Sequence, residues 1–241
     1  MTVMDDFVAE ALRLQGILGL LTRAQWLAES GARGWSVADV VLHLAQSDES
    51  VATSAGADYQ ADVAAAGTVD DWAARMVEAE RTTPDLVFAR WREARDAAVA
   101  ALRDADPDRP LPWVSGPVKP DTLTTTRLAE YWAHGLDITA PLGIDFPDTS
   151  RLRHIAWLAH RTLPYALTRA GEAPAAVRCS LTAPDEATTW TFGPDEADSE
   201  ISGSAAAFCR VAARRLDPAD SGLHAAGPHG AAALRVVRTY A

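Results

Sequence analysis

The sequence predicts a mainly α-helical protein: a four-helix-type bundle to about residue 170, then a small α+β domain from about residue 175. Three observations carry that expectation. Apolar residues in the first two-thirds of the chain recur at the three-, four- and seven-residue spacings of a helix face. Around Gly171 to Pro174 this pattern gives way to alternation, the period of a strand. The chain's 241 residues, 48% of them hydrophobic, suffice for one large domain or two small ones without a disulfide or structural metal.

The first helix follows from Phe7, Leu14, Leu18 and Leu21, and Gly31 and Gly34 close that segment. A second begins after Trp35, where Ser36 can cap and Asp39 stands three residues on, as in a capping box. Val37, Val40, Val41 and Leu44 then mark its buried face. Gly67 breaks the pattern, and Asp70 and Asp71 reopen it ahead of Trp72. Pro84 allows a further helix through Phe88, Trp91, Val99 and Leu102. Residues 106–121 hold five prolines and no helical period, so they read as an ordered loop or crossover. Helix resumes around Thr124 and runs to Pro141. Residues 151–170 form a fifth helical segment, bent at Pro164. Beyond it, Val177, Cys179 and Leu181 alternate with polar residues, as do Trp190 and Phe192, and Ile201 fits a third short strand. Ser204 caps a helix over AAAFCRVAARRL, and a last helix lies near the C-terminus. The domains are therefore expected at 1–170 and 175–241.

Charge narrows the function. Against 22 basic residues stand 33 acidic ones, a net charge of −11. Neither nucleic acid nor an anionic membrane gains from such a surface, so neither is expected as a partner. The amino terminus, MTVMDDFVAE, lacks the basic and apolar regions of a signal peptide, and no 18-residue uncharged apolar stretch occurs, so a cytoplasmic location is expected. The two cysteines, Cys179 and Cys209, have no CxxC spacing and read as small apolar fillers in a reducing compartment. No GxSxG elbow, phosphate-binding loop or dinucleotide fingerprint is present.

Of six histidines, His134 draws attention because Glu130 precedes it by one helical turn. Side chains at i and i+4 share a face about 6 Å apart, close enough to share a metal ion. Catalytic zinc takes three protein ligands and leaves a fourth position open. His43 is the candidate third ligand. At about 100° per residue, His43 lies on the margin of its helix's apolar stripe, as Glu130 and His134 do on theirs. Spacing alone also fits a solvated Glu/His pair, so both readings stand at this point. Asp137, Asp39 and Asp48 are candidates to orient a ligand, although capping also explains Asp39. Trp113, Gly116 and Pro117 could border a pocket or simply pack. His154 and His160 do not share a helix face, and His224 and His229, in a Gly-rich loop, have no partner spacing.

The stretch GWSVADVVLHLAQSDE, with LAEYWAHGLDI some ninety residues later, resembles the mycothiol-dependent maleylpyruvate isomerase family within the DinB/YfiT-like superfamily. The similarity extends over essentially the whole chain. It implies a DinB-like four-helix bundle with a divalent metal, zinc, on His43, Glu130 and His134. It implies mycothiol, the low-molecular-weight thiol of actinobacteria, as co-substrate, with a small-molecule electrophile as its partner. The segment ISGSAAAFCRVAARR is similar to the family's second domain, which helps close the cleft and contributes an arginine near the substrate. Arg210, Arg214 and Arg215 compete for that role, with Arg210 and Arg214 favoured, against the plainer reading of an arginine-rich solvated face. Isomerisation or S-transfer by a metal-held thiol is the implied activity. A zinc-water hydrolase and a non-catalytic metal-binding module remain as alternatives, and the assembly is expected to be a monomer or homodimer.

Overall fold

The structure is a computed structural model that describes residues 2–54, 68–114 and 116–239. The break expected at Gly67 lies outside the described residues. Helices α1 (Val3–Leu18), α2 (Arg23–Trp26), α3 (Val37–Ser54), α4 (Val69–Glu80), α5 (Pro84–Asp104), α6 (Pro120–Thr139) and α7 (Leu152–Arg169) are followed by strands β1 (Val177–Thr182), β2 (Thr189–Phe192) and β3 (Ser199–Ser204). Helix α8 (Ala205–Ala212), strand β4 (His224–Ala226) and helix α9 (Gly230–Val236) complete the chain. The mainly α fold with a small α+β C-terminal part is as the sequence predicts. Among the described residues no helix is long and apolar enough to cross a membrane.

Two compact units divide at Phe146 and Pro147. The boundary expected near residues 170–175 thus moves upstream, because α7 packs against α8 and α9 and belongs to the second unit. An apolar helical stripe identifies a buried face but not the element that covers it.

In the first unit, α1, α3, α5 and α6 make the bundle, and named contacts fix their directions. Glu49 pairs with Arg90, and further along both helices Val51 meets Ala98 and Leu102, so α3 and α5 run parallel. Met4 packs at the Leu123 level and Phe7 against Tyr131, so α1 and α6 run parallel as well. His43 faces Glu130 while Asp48 faces Arg127, which makes α3 antiparallel to α6. Helix α6 starts at Pro120 rather than near Thr124. Proline at the first helical position has its φ preset and needs no hydrogen-bond partner, so the loop's last proline opens the helix. The proline-rich segment closes the far end of the bundle. Leu111 and Val118 bridge one another, and Trp113 packs on the Val51, Leu102 and Leu123 cluster. It is part of the core there, eight to eleven residues along α3 from His43.

In the second unit the sheet order is β2-β1-β3-β4, with β1 and β3 parallel and the outer pairs antiparallel. His224 forms an exposed strand residue of β4 rather than a loop. The ring of His160 contacts the Val177 carbonyl at 2.9 Å and stacks on Phe192, a satisfied structural histidine. Ser204 caps α8 as expected, but the helix stops at Ala212 instead of continuing to Leu216. Arg214 adopts the left-handed conformation at φ 60°, and Arg215 donates its backbone N–H to the Arg210 carbonyl, an αL stop that usually falls to glycine.

Candidate metal centre

The residues leading into α3 form a small hook. Glu29 and Ser36 bridge, and the Ser30 backbone N–H donates to the Trp35 carbonyl at 2.9 Å. Gly31 then donates its N–H to the Asp137 carbonyl of α6 at 2.7 Å. A Cβ on Gly31 would come within 3.1 Å of the Asp137 backbone, so a side chain there would push the hook away. At its end, Ser36 and Asp39 exchange the two hydrogen bonds of the expected capping box, and Arg81 grips the Asp39 carboxylate through two nitrogens. Asp39 therefore caps and pairs, and does not orient a ligand.

This hook delivers Trp35 onto the imidazoles of His43 and His134, at ring-centroid distances of 5.2 and 6.5 Å. The two imidazoles lie 5.0 Å apart, nearly perpendicular. Between them sits the Glu130 carboxylate, 3.6 Å from His43 Nε2 and 3.4 Å from His134 Nε2. One ligand atom from each of the three residues falls within 4.8 Å of the others. The expected trio is thus brought together from two helices.

The two Glu130 separations suit ligands of one cation. Bonds of about 2.0–2.1 Å to nitrogen and oxygen in tetrahedral geometry put neighbouring ligand atoms about 3.3–3.4 Å apart. The observed 3.4 and 3.6 Å need only a slight contraction. His134 Nδ1 meets Asp137 Oδ2 at 2.9 Å, with both side chains buried. A carboxylate on Nδ1 fixes the tautomer that leaves Nε2 free as a ligand.

The electrostatics follow. Burial pushes His43 below the ordinary imidazole range, against the pull of Glu130, and so favours the neutral form that binds metal. Burial also acts downward on His134, but the hydrogen bonds to Asp137 and then Glu130 outweigh it and the net direction is upward. For Glu130, burial acts upward, yet contacts with His134 and His43 dominate and hold the carboxyl well below its usual range.

The profile of the mycothiol maleylpyruvate isomerase N-terminal domain family matches residues 7–139, the stretch that holds all three of these side chains. The chain belongs to this family. Over 245 aligned residues it is 32% identical to an uncharacterized protein of Mycobacterium tuberculosis, recorded in strains CDC 1551 / Oshkosh and ATCC 25618 / H37Rv. That match covers 98% of this chain and 94% of the relative. Among solved structures, the mycothiol-dependent maleylpyruvate isomerase and a histidine-to-alanine variant of it share the fold, each with a TM-score of 0.63. Their identities are 17% and 16%, over 93% of this chain and 93% of each of theirs.

Within this family member, Asp48 does not touch His43. It lies deeper, paired with Arg127 at 3.0 Å and accepting a hydrogen bond from Tyr131 at 2.5 Å. The second unit holds Arg210 in a bidentate pair with Asp148, at 2.9 and 3.1 Å. Arg214 is exposed, and Arg215 turns a guanidinium nitrogen back to the Ala213 carbonyl. Two participants were not apparent from the sequence. Trp35 lies eight residues before His43, a distance across a loop that no helical period reports. Arg127 stands three residues before Glu130 on the same helix face, and that spacing was the available signal.

Proposed function

We propose that the protein is a metal- and thiol-dependent enzyme acting on small molecules, an isomerase or S-transferase that uses mycothiol as its nucleophile. We assign zinc to His43, Glu130 and His134. The observation that carries this reading is the convergence of those three ligand atoms within 4.8 Å, with the two Glu130 separations suited to a tetrahedral ion. Three protein ligands leave a fourth position for a substrate atom. A bound zinc would supply positive charge that stabilises a substrate thiol as thiolate near neutral pH.

The remaining work falls to the chain. Asp137 holds the His134 ring so that Nε2 points at the shared centre, and Trp35 shields both imidazoles from water on one side. The protein's own thiols are poor nucleophiles. Burial pushes Cys179 up to about 12 and Cys209 higher still, so a reactive thiol has to arrive with a co-substrate. We assign recognition of a substrate carboxylate first to Arg214, since an arginine fork suits that group, and to Arg210 only by exchange of its Asp148 partner for the substrate. Arg214 has no side-chain partner among the described residues.

On a cis alkene conjugated to a carbonyl, the thiolate adds to an alkene carbon and the π electrons move onto the carbonyl as an enolate. Rotation about the new single bond, then expulsion of the thiolate, restores the alkene in trans form. On an epoxide the attacked carbon–oxygen bond breaks and the oxygen stays on the neighbouring carbon as an alkoxide, which takes a proton from solvent. On an alkyl halide the halide leaves, and in both cases the carbon–sulfur bond stays.

The test uses chelator-stripped protein, zinc, mycothiol and maleylpyruvate, with an epoxide as a second electrophile. Conversion that requires both zinc and thiol is the expected result. Turnover unchanged by chelation refutes the metal assignment, and product formed equally without thiol refutes the nucleophile.

A further inference from the structure

Below the candidate metal centre the bundle carries a charged network that, among the described residues, forms no hydrogen bond with the three ligand side chains. Arg127 and Asp48 are 2% and 0% exposed at their side chains, and Arg127 Nε donates to Asp48 Oδ1 at 3.0 Å. Tyr131 donates its hydroxyl hydrogen to Asp48 Oδ2 and accepts one from Trp91 Nε1 at 2.8 Å. Phe7 meets the Tyr131 ring edge-on at 5.1 Å. One residue from each of α1, α3 and α5 is thereby tied to two from α6.

We infer that the Asp48–Arg127 ion pair sets the register of α3 against α6, and so holds His43 opposite Glu130 and His134. A buried ion pair is a weak source of stability, because desolvating two charges offsets most of their attraction. Its best-attested use is to specify one alignment. Arg127 Nη2 is buried without a hydrogen-bond partner among the described residues, so this pair is not optimised for stability.

Its value lies in what a slip would do. Leucine and valine faces slide past one another at modest cost, but a one-turn slip of about 5.4 Å would leave both charges buried and unpaired. The same slip would carry His43 far beyond reach of an ion held by Glu130 and His134. Asp48 follows His43 by five residues, about 7.5 Å along the helix, while Arg127 precedes Glu130 by three. Because α3 and α6 are antiparallel, the lock and the ligands stand side by side at adjacent levels. Asp48 and Arg127 are positioning residues, and their role rests on the metal assignment above.

Cobalt(II) binding tests it, since the visible spectrum reads ligand geometry and titration reads affinity. The variants are Asp48→Asn, Arg127→Met, the double variant, and Leu102→Ala as a control in the far-end cluster. Asp48→Asn and Arg127→Met are expected to lose thermal stability and cobalt affinity together. The double variant, with no unpaired buried charge, should recover most of the melting temperature yet bind cobalt at least tenfold more weakly, with an altered spectrum. Leu102→Ala should lose melting temperature while keeping affinity within twofold. A double variant with wild-type affinity and spectrum overturns the register role and leaves the metal assignment standing. Wild-type protein that takes up no cobalt overturns both. Should the double variant fail to fold, Asp48→Glu keeps both charges but moves the carboxylate out by one methylene, off the Arg127 Nε and the Tyr131 hydroxyl that it meets. A loss of threefold or more in affinity then supports the lock, and an unchanged affinity and spectrum overturns it.

Discussion

Asp137→Ala and Asp137→Asn together measure how much of the proposed metal centre is built by a residue outside its three ligands. The Asp137 carboxylate lies 2.9 Å from His134 Nδ1, and the two side chains are 4% and 9% exposed. Removing such a partner costs about 10–100-fold in metal affinity, or about 1.4–2.8 kcal/mol. Burial places Asp137→Ala at the upper end, because the Nδ1–H is left without an acceptor and without water. That stranded donor alone costs about 1–3 kcal/mol. Asp137→Asn keeps an acceptor oxygen in the same place and loses only the charge. Charge-assisted hydrogen bonds are about twice as strong as neutral ones, so about 1 kcal/mol is lost, roughly fivefold in affinity. Neither change disturbs the main-chain bond from Gly31 to the Asp137 carbonyl.

The assay is zinc competition against a chromophoric chelator at neutral pH, beside thermal unfolding of the metal-free proteins. The expected order is wild type, then Asn about fivefold weaker, then Ala fifty- to a hundredfold weaker. In metal-free protein the Ala change should also lower the His134 pKa, seen by NMR, because Asp137 is the leading group that raises it. Zinc affinity of the Ala variant within twofold of wild type would refute the reasoning, as would an Asn variant as weak as Ala.

Three further outcomes follow from other parts of the molecule. Burial acts upward on the Asp39 carboxyl, but Arg81 and Ser36 outweigh it and hold the folded pKa below the ordinary 3.8. The stability it adds is therefore present above 3.8 and lost as pH falls through the lower folded value. Asp39→Ala should cost about 1–2 kcal/mol by urea unfolding at pH 7 and progressively less in acid, and a pH-independent difference would count against the cap and ion pair. Gly135→Ala would set a Cβ 2.5 Å from the tip of the Phe146 ring, which Arg13 backs at 3.6 Å. Overpacking of about 1–3 kcal/mol exceeds the helix-propensity gain of about 1 kcal/mol, so urea denaturation should read a net loss of up to about 2 kcal/mol. Arg214→Gly should separate stability from activity. Relief of the left-handed backbone adds up to about 1 kcal/mol to stability. Loss of the guanidinium should lower kcat/KM for a carboxylate-bearing substrate at least tenfold, while an unchanged kcat/KM would remove Arg214 from substrate binding.

The helices were legible because local rules and the final packing agree. The Ser36–Asp39 capping box and the stripe from Val37 to Leu44 each specify the same α3. Where the reading slipped, a tertiary contact had decided the matter. The apolar residues of α7 are as regular as those of the bundle helices, and nothing in their spacing says that α8 and α9 pack on them. The early end of α8 was equally hidden. A run of alanine and arginine has high helix propensity, and the stop comes from the left-handed Arg214 and from the distant Thr239 N–H, which takes the Ala212 carbonyl.

The site divides along the same line. Glu130 and His134 could be paired from sequence because they share one helix, whose geometry is fixed at 3.6 residues per turn. Bringing in His43 required a second helix and therefore a register between two helices, which hydrophobic spacing leaves loose by a turn either way. That missing information is held by Asp48, five residues after His43, and Arg127, three before Glu130; in sequence Asp48 is a candidate to orient a ligand, and nothing there ties it to Arg127. Only across antiparallel helices do they become opposite each other on the level next to the ligands. Two charges at positions that face the core carry a cost unless they meet, so a sequence that keeps both in helices of otherwise apolar faces encodes one alignment of those helices. On the register we infer, the convergence of His43, Glu130 and His134 depends on that alignment as well as on the attraction of Glu130 for the two imidazoles.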